Sequence, residues 1–204
     1  VFTEEIWNTS SSVEHQPYSY SKTLAEREAW EIAGKQDRWD LVAVNPCMVM
    51  GPGIDPHGTS ESFNVMKQFG DGTLRMGGPR WGIGVVDVRD LAEAHHRAGF
   101  TPAASGRYII AGHDSDLAQV AAVLHEHFGG RYPIPSRTTP KWLIWLVGPL
   151  MNPTLTRKMI SRNVGLPWRA DNTKSVRELG MTYRPLEETV VEFFQQLVDG
   201  GVLV

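Results

Sequence analysis

One cysteine, Cys47, stands in 204 residues, so no intramolecular disulfide framework can form. That fits a reducing, cytoplasmic compartment. Basic charge is not in excess. The formal net charge is −3, and no nucleic-acid partner is expected. Long apolar runs are missing too. The most apolar stretch, Trp142 to Met151, is broken by Gly148 and Pro149. It falls short of the roughly 20 residues a bilayer-spanning helix needs. It reads as a buried or interfacial helix, with membrane-surface contact as the lesser alternative, and a membrane is not counted among the expected partners. There is no internal repeat and no low-complexity segment. With 41% hydrophobic residues, the chain has enough apolar material for one domain, or one domain and a small lobe.

Against these absences stands the stretch Tyr18-Ser19-Tyr20-Ser21-Lys22, continued by Thr23-Leu24-Ala25-Glu26 as helix former. On a helix, residues four apart share a face, which sets the Lys22 ammonium beside the Tyr18 phenol. A free phenol titrates near pH ~10 and is a poor acid at neutrality. A neighbouring cation favours the phenolate. A tyrosine tuned this way can give a proton to a carbonyl oxygen, or take one from an alcohol, as hydride moves at the adjacent carbon. Such chemistry needs a hydride carrier, held in most folds by a glycine-rich turn between a first strand and a first helix. Gly51-Pro52-Gly53 and Gly82-Ile83-Gly84 have the first spacing of that turn but lack its third glycine. Val1 is not an initiator methionine, and little chain precedes Tyr18. The expectation is therefore the carboxyl-terminal part of a longer enzyme, or one piece of a split one.

Helices are expected over Tyr18–Ala33, Ser62–Phe69, Arg89–Gly99, Ser115–Phe128, Trp142–Leu150, Leu155–Val164, Thr173–Leu179 and Leu186–Val198. Pro17 suits the first start, Gly34 the first stop and Gly180 the end of the seventh. Leu41–Val44, Gly84–Val88 and Tyr108–Ala111 read as buried strands. Strands alternating with helices predict an α/β fold: part of a Rossmann-type parallel sheet, with a smaller and mostly helical lobe. The division is placed at residue 130, with 1–130 belonging to the dinucleotide-binding domain and 131–204 to the substrate lobe and C-terminal helices.

These residues resemble the extended short-chain dehydrogenase/reductase superfamily, and within it the dihydroflavonol 4-reductase and cinnamoyl-CoA reductase group. The resemblance is carried in order by Trp7-Asn8, Tyr18 to Glu26, Asn45-Pro46-Cys47-Met48-Val49-Met50-Gly51-Pro52, Val86 to His95, Gly106-Arg107-Tyr108, and Asp171 to Ser175 through Leu179-Gly180. It implies reduction of a ketone or aldehyde to an alcohol, with NADP as carrier and NAD as the other possibility. Tyr18 is then the general acid/base. Lys22 lowers its pKa and binds the nicotinamide ribose. Pro46, Cys47, Met48 and Val49 form a loop against the nicotinamide ring, and Ser62 is a further cofactor contact. The family's substrate-binding Ser or Thr lies upstream of Val1, since Thr9 to Ser12 stand too close to Tyr18. A small carbonyl compound is the expected partner, bound in a pocket lined by residues 53–78 and 133–166. A missing N-terminal half or a second copy is a further partner.

Two rival functions share the scaffold. A nucleotide-sugar epimerase or dehydratase would keep Tyr18 and Lys22 and recruit Arg75, Arg80 or Arg107 for a diphosphate. An inactive truncated fragment would do neither. No metal site is expected, because His125 and His127 lie two apart and point apart on a helix. Asp87, Arg89 and Asp90 read as a buried ion pair or helix cap, His95 and His96 as packing or surface, and most tryptophans as core or lobe packing.

Overall fold

The computed structural model describes residues 1–151 and 155–203. In chain order it runs α1 (Pro17–Ala33), β1 (Val42–Pro46), β2 (Met48–Met50), α2 (Glu61–Gly70), β3 (Gly78–Pro79), β4 (Gly82–Asp87), α3 (Val88–Phe100) and β5 (Gly106–Ile110). Then come β6 (His113–Asp116), α4 (Leu117–Phe128), β7 (Thr138–Thr139), α5 (Lys141–Met151), α6 (Arg157–Asn163), α7 (Thr173–Leu179) and α8 (Leu186–Asp199). The pairings β1–β5, β2–β4 and β3–β7 are parallel, while β6 runs antiparallel to β4. Parallel partners need crossover connections. Here α2 lies in the connection from β2 to β4. The α/β reading with a parallel sheet under helices is what the chain adopts.

The run from Val42 to Met50 changes partner at one residue. Its first part pairs with β5 in the register Val42↔Gly106 to Pro46↔Ile110, and its second with β4 from Met48↔Val85 to Met50↔Asp87. Cys47 marks the break, its amide still donating to the Ile110 carbonyl at 3.2 Å. The expected loop at 46–49 is thus corrected to two strands with a one-residue step. Strand β6 was not legible: His113-Asp114-Ser115-Asp116 has no apolar alternation. Its place is set by backbone pairing to β4 and by burial of Ser115.

Two cores flank the sheet. One gathers Met50, Met66, Phe69, Val85, Leu124, Phe193, Phe194 and Leu197 with their neighbours. The other gathers Val86, Ala94, Ala98, Tyr108, Ile110, Leu179 and Met181. Helix α8 buries Thr189, Val190, Phe193, Phe194 and Leu197, the stripe expected of a helix laid on a core. Helix α8 closes the same core as α2 and α4. None of the seven tryptophans is in the buried core among the described residues, so the core half of that expectation does not hold. Asp87 caps α3 by accepting from the Arg89 amide at 2.8 Å and pairs with the Arg89 guanidinium at 2.7 Å. Asp90 pairs with Arg184. Gly180, at φ 65°, ends α7 in the left-handed region that favours glycine.

Gly84 is required for a different reason. The Trp168 ring lies close against it, and a Cβ there would run into that ring and meet the Cys47 Cβ at 2.8 Å. Overpacking of a tight contact costs about 1–3 kcal/mol. Gly84→Ala is therefore expected to lower the unfolding free energy by that amount, moving the denaturation midpoint down, and to shift tryptophan emission. An unchanged midpoint would refute the contact.

Candidate active site

Helix α1 carries the tyrosine and lysine, and it is an unusual helix. None of its residues is buried, and Leu24 and Ile32 are exposed apolar positions. It starts at Pro17 after Gln16, which sits at φ 56° and turns the chain into the helix. With so little apolar burial, polar contacts must fix it to the sheet.

Glu26 supplies them. Arg107 of β5 donates to its Oε1 at 2.7 Å and its Oε2 at 3.2 Å, Asn45 of β1 to Oε2 at 3.0 Å, and the Trp30 indole to Oε1 at 3.3 Å. Both members of the ion pair are largely shielded, with side-chain exposures of 18% for Arg107 and 16% for Glu26. Burial pushes the Glu26 carboxyl up, but the Arg107, Trp30 and Asn45 hydrogen bonds and the Arg107 charge outweigh it and hold the group below its ordinary value. Arg107 also donates to the Glu4 and Ile6 carbonyls, and its guanidinium lies 4.1 Å from the centre of the Trp7 ring. The amino-terminal segment is thereby tied to the same arginine.

Around this anchor opens a groove of about 1120 Å³. Tyr18, Ser19, Lys22 and Glu26 border it from α1, residues 43–46 from β1, and Trp7, Asn8, Thr9 and Ser10 from the amino-terminal segment. Tyr18 is 73% exposed. Among the described residues only its backbone carbonyl is engaged, by the Ser21 hydroxyl at 2.8 Å. The Lys22 ammonium stands 5.5 Å from the centre of the Tyr18 ring. An open phenol and a cation on one wall of a groove can exchange a proton with a bound molecule and stabilise the charge left behind.

Of the residues singled out from sequence, Tyr18, Lys22 and Pro46 border the groove; Cys47, Met48, Val49 and Ser62 do not. Met48 and Val49 belong to β2, and Ser62 is half-buried in the first turn of α2. Cys47 packs beside Gly84, where Trp168 also lies, and burial pushes its thiol up to about 12. An aromatic disulfide reagent at mildly alkaline pH should label Cys47 far more slowly in the native chain than in denaturant, since the thiolate is the nucleophile. Equal rates would contradict the burial. The expected pocket lining at 53–78 does not reach this groove, and from 133–166 only Asn163 does. Thr9 and Ser10 border it in spite of their closeness to Tyr18 in sequence, the Ser10 hydroxyl donating to Asn8 Oδ1 at 3.4 Å. Arg107 is held by Glu26, and Arg75 and Arg80 lie away from the groove, so these arginines form no diphosphate clamp around Tyr18.

Sequence reasoning gave Glu26, Asn45 and Trp168 no role, and offered Arg107 only as a diphosphate ligand. Glu26 was within reach, since it stands eight residues after Tyr18 and shares its helix face. Arg107 and Asn45 come from separate strands whose pairing brings them together, and no local spacing signals that.

The fold and groove define the class: part of a Rossmann-type α/β scaffold with a Tyr-x-x-x-Lys helix along an open cleft. Residues 3–111 match the NAD dependent epimerase/dehydratase family, and the chain belongs to it. Among curated proteins, cinnamoyl-CoA reductase 2 of Medicago truncatula is 28% identical over 208 residues, covering 100% of this chain and 54% of that protein. Tetraketide alpha-pyrone reductase 2 of Arabidopsis thaliana is 34% identical over 124 residues, covering 61% of this chain and 37% of that one. The chain spans about half the length of the curated relatives it matches. Among solved structures, the yeast methylglyoxal/isovaleraldehyde reductase Gre2 complexed with NADPH superposes with a TM-score of 0.72 at 24% identity, covering 100% of this chain and 58% of that one. Alfalfa vestitone reductase gives 0.71 at 18%, covering 99% and 59%. At these identities the structural matches bear on the fold.

Proposed function

We propose that this chain provides the proton-transfer half of an NADPH-dependent reductase acting on a ketone or aldehyde. One observation carries the reading: the Tyr18 phenol and the Lys22 ammonium stand together on the wall of an open groove. The relatives named as reductases support it, and so does the NADPH in the Gre2 complex.

The residues present fit the nicotinamide end of such a cofactor. Lys22 and Tyr18 offer donors for ribose hydroxyls, and Pro46 is an exposed apolar edge beside them. Asn45, which borders the groove, keeps Oδ1 buried without a partner among the described residues. A buried acceptor left unpaired is costly, and a bound amide donor would satisfy it. When bound, reduced nicotinamide supplies a hydride to the carbonyl carbon. Tyr18 donates its phenolic proton to the carbonyl oxygen, and Lys22 stabilises the phenolate that remains. Trp7 and Trp168 on the groove wall suit a flat, apolar substrate.

The parts that would hold the pyrophosphate belong elsewhere in this reading. Strand β1 pairs with β5 on one side, and its other edge has no strand among the described residues. A right-handed parallel crossover through α1 would place a strand there. We assign that edge to the nucleotide-holding half or, failing it, to a second copy in a cytoplasmic enzyme.

The test is net NADPH oxidation with a panel of aldehydes and ketones, followed by loss of its near-ultraviolet absorbance. Stoichiometric oxidation supports the proposal. Tightly held NAD with no net consumption, together with conversion of a sugar nucleotide, would move the protein to the epimerase side of its family. Absence of both would leave an inert fragment.

A further inference from the structure

We propose that the paired helices α5 and α6 dock on the surface of an anionic lipid bilayer. The observation behind this does not depend on the redox reading.

Charge is divided along the chain. From His127 to Ala170 there is no aspartate or glutamate, while seven lysines and arginines fall there, among them Lys141, Arg157, Lys158 and Arg162. The chain as a whole is nevertheless at −3, so its acidity lies outside this segment. All seven basic residues are exposed. None of them pairs with a carboxylate among the described residues.

The same segment carries an apolar ridge. On α5, Trp142, Trp145, Leu146 and Leu150 follow the i, i+3, i+4, i+8 spacing of one helix face, at exposures of 67%, 41%, 50% and 85%. The inner face is already used: a Cβ at Gly148 would contact Ile160 at 3.2 Å and Ile144 at 3.6 Å, so α6 packs close behind. Cations flank the ridge directly. The Arg157 guanidinium lies 4.6 Å from the centre of the Trp145 ring, and the Lys141 ammonium donates to the Ser161 carbonyl at 2.8 Å.

A partner must satisfy both features at once. Tryptophan rings favour the headgroup level of a bilayer, leucines the acyl boundary just below, and exposed cations the phosphates above. Helix α5 has 11 residues, about 16 Å at 1.5 Å each, enough to lie in the interface and too little to cross it. A second copy joined through these helices would set the uncompensated cations Lys141, Arg157, Lys158 and Arg162 against the same four of the other copy. Nucleic acid would meet the cations but leave Leu146 and Leu150 without an apolar contact.

The test is co-sedimentation of the chain with vesicles of phosphatidylcholine alone, or of phosphatidylcholine containing phosphatidylserine. Binding to the anionic vesicles is expected, weakened by added salt and at least about tenfold weaker to neutral ones. Each basic residue near such a surface is worth about fivefold in affinity, so Arg157→Gln with Lys158→Gln should weaken binding by more than about tenfold. Trp142→Ser with Leu150→Ser should abolish it, with far-ultraviolet circular dichroism unchanged because both residues are exposed. The proposal is overturned by equal binding to neutral vesicles, by no binding to either, or by binding that survives the ridge substitutions. It is equally overturned if the chain prefers polyglutamate or DNA over anionic vesicles, or buries the ridge in a dimer in solution.

Discussion

Tyr18→Phe is expected to lower carbonyl turnover by about 10²- to 10⁴-fold in any active preparation of the protein, the range that a positioned proton donor contributes. Folding should be untouched. The side chain is 73% exposed, and among the described residues nothing hydrogen-bonds its hydroxyl, so removing the oxygen leaves no buried group unpaired. The comparison is a turnover assay on both proteins beside their denaturant midpoints. A large loss of rate at equal midpoint assigns the proton to Tyr18. Turnover within a few-fold of the parent would end the assignment, and with it the reductase proposal built on this groove. Lys22→Met should fall in the same direction, because its ammonium at 5.5 Å from the ring centre is the nearby positive charge for a phenolate. Losing both in one variant should cost little more than losing Tyr18 alone, since a lysine that acts through the tyrosine has nothing left to stabilise.

How far the sequence reaches can be argued from these two residues and their neighbours. Tyr18 and Lys22 are separated by one helical turn, so the local rule that places them on one face also places them on one groove wall. The same holds for α8, whose apolar spacing translates directly into a buried stripe. The parallel strands β1, β4 and β5 are legible because strands buried on both faces read as apolar, β-branched runs. Failures begin where position depends on something distant in the chain. Cys47, Met48 and Val49 look like a loop after Pro46, yet pairing with β4 draws Met48 and Val49 into a strand and leaves Cys47 at the step, packed beside Gly84. β6 is invisible because its side chains carry no pattern and its backbone does the work. Trp142 and Trp145 share a face as their spacing says, but spacing cannot tell an inward face from an outward one; only the packing of α6 on the opposite side decides it.

Glu26 is the residue on which the geometry of Tyr18 depends most, and its loss should be the largest single blow to stability near the groove. Helix α1 buries none of its own residues, so hydrophobic packing contributes little to holding it. What fixes it is a shielded carboxylate that takes hydrogen bonds from Arg107, Asn45 and Trp30. Removing one member of a shielded ion pair leaves the other charge uncompensated, at a cost of about 3 kcal/mol, the low end for fully buried pairs. Glu26→Ala should therefore lower the melting temperature by about 6–12 °C for a chain of this size. Replacing both partners with apolar residues, Glu26→Leu with Arg107→Met, should recover part of that loss, because no charge is then stranded. Rate should not recover with it: the hydrogen bonds that orient α1 are gone, so Tyr18 is no longer held against the groove. The pH dependence supplies an independent check. The native Glu26 carboxyl lies below its ordinary value of 4.5, so its contribution is complete above that value and fades as the pH falls through the lower native one. In the parent chain unfolding free energy should drop across that acid window, and in Glu26→Gln the drop should be shallower. Parallel profiles for the two proteins, or a melting temperature unmoved by Glu26→Ala, would show that α1 is held by something other than this carboxylate.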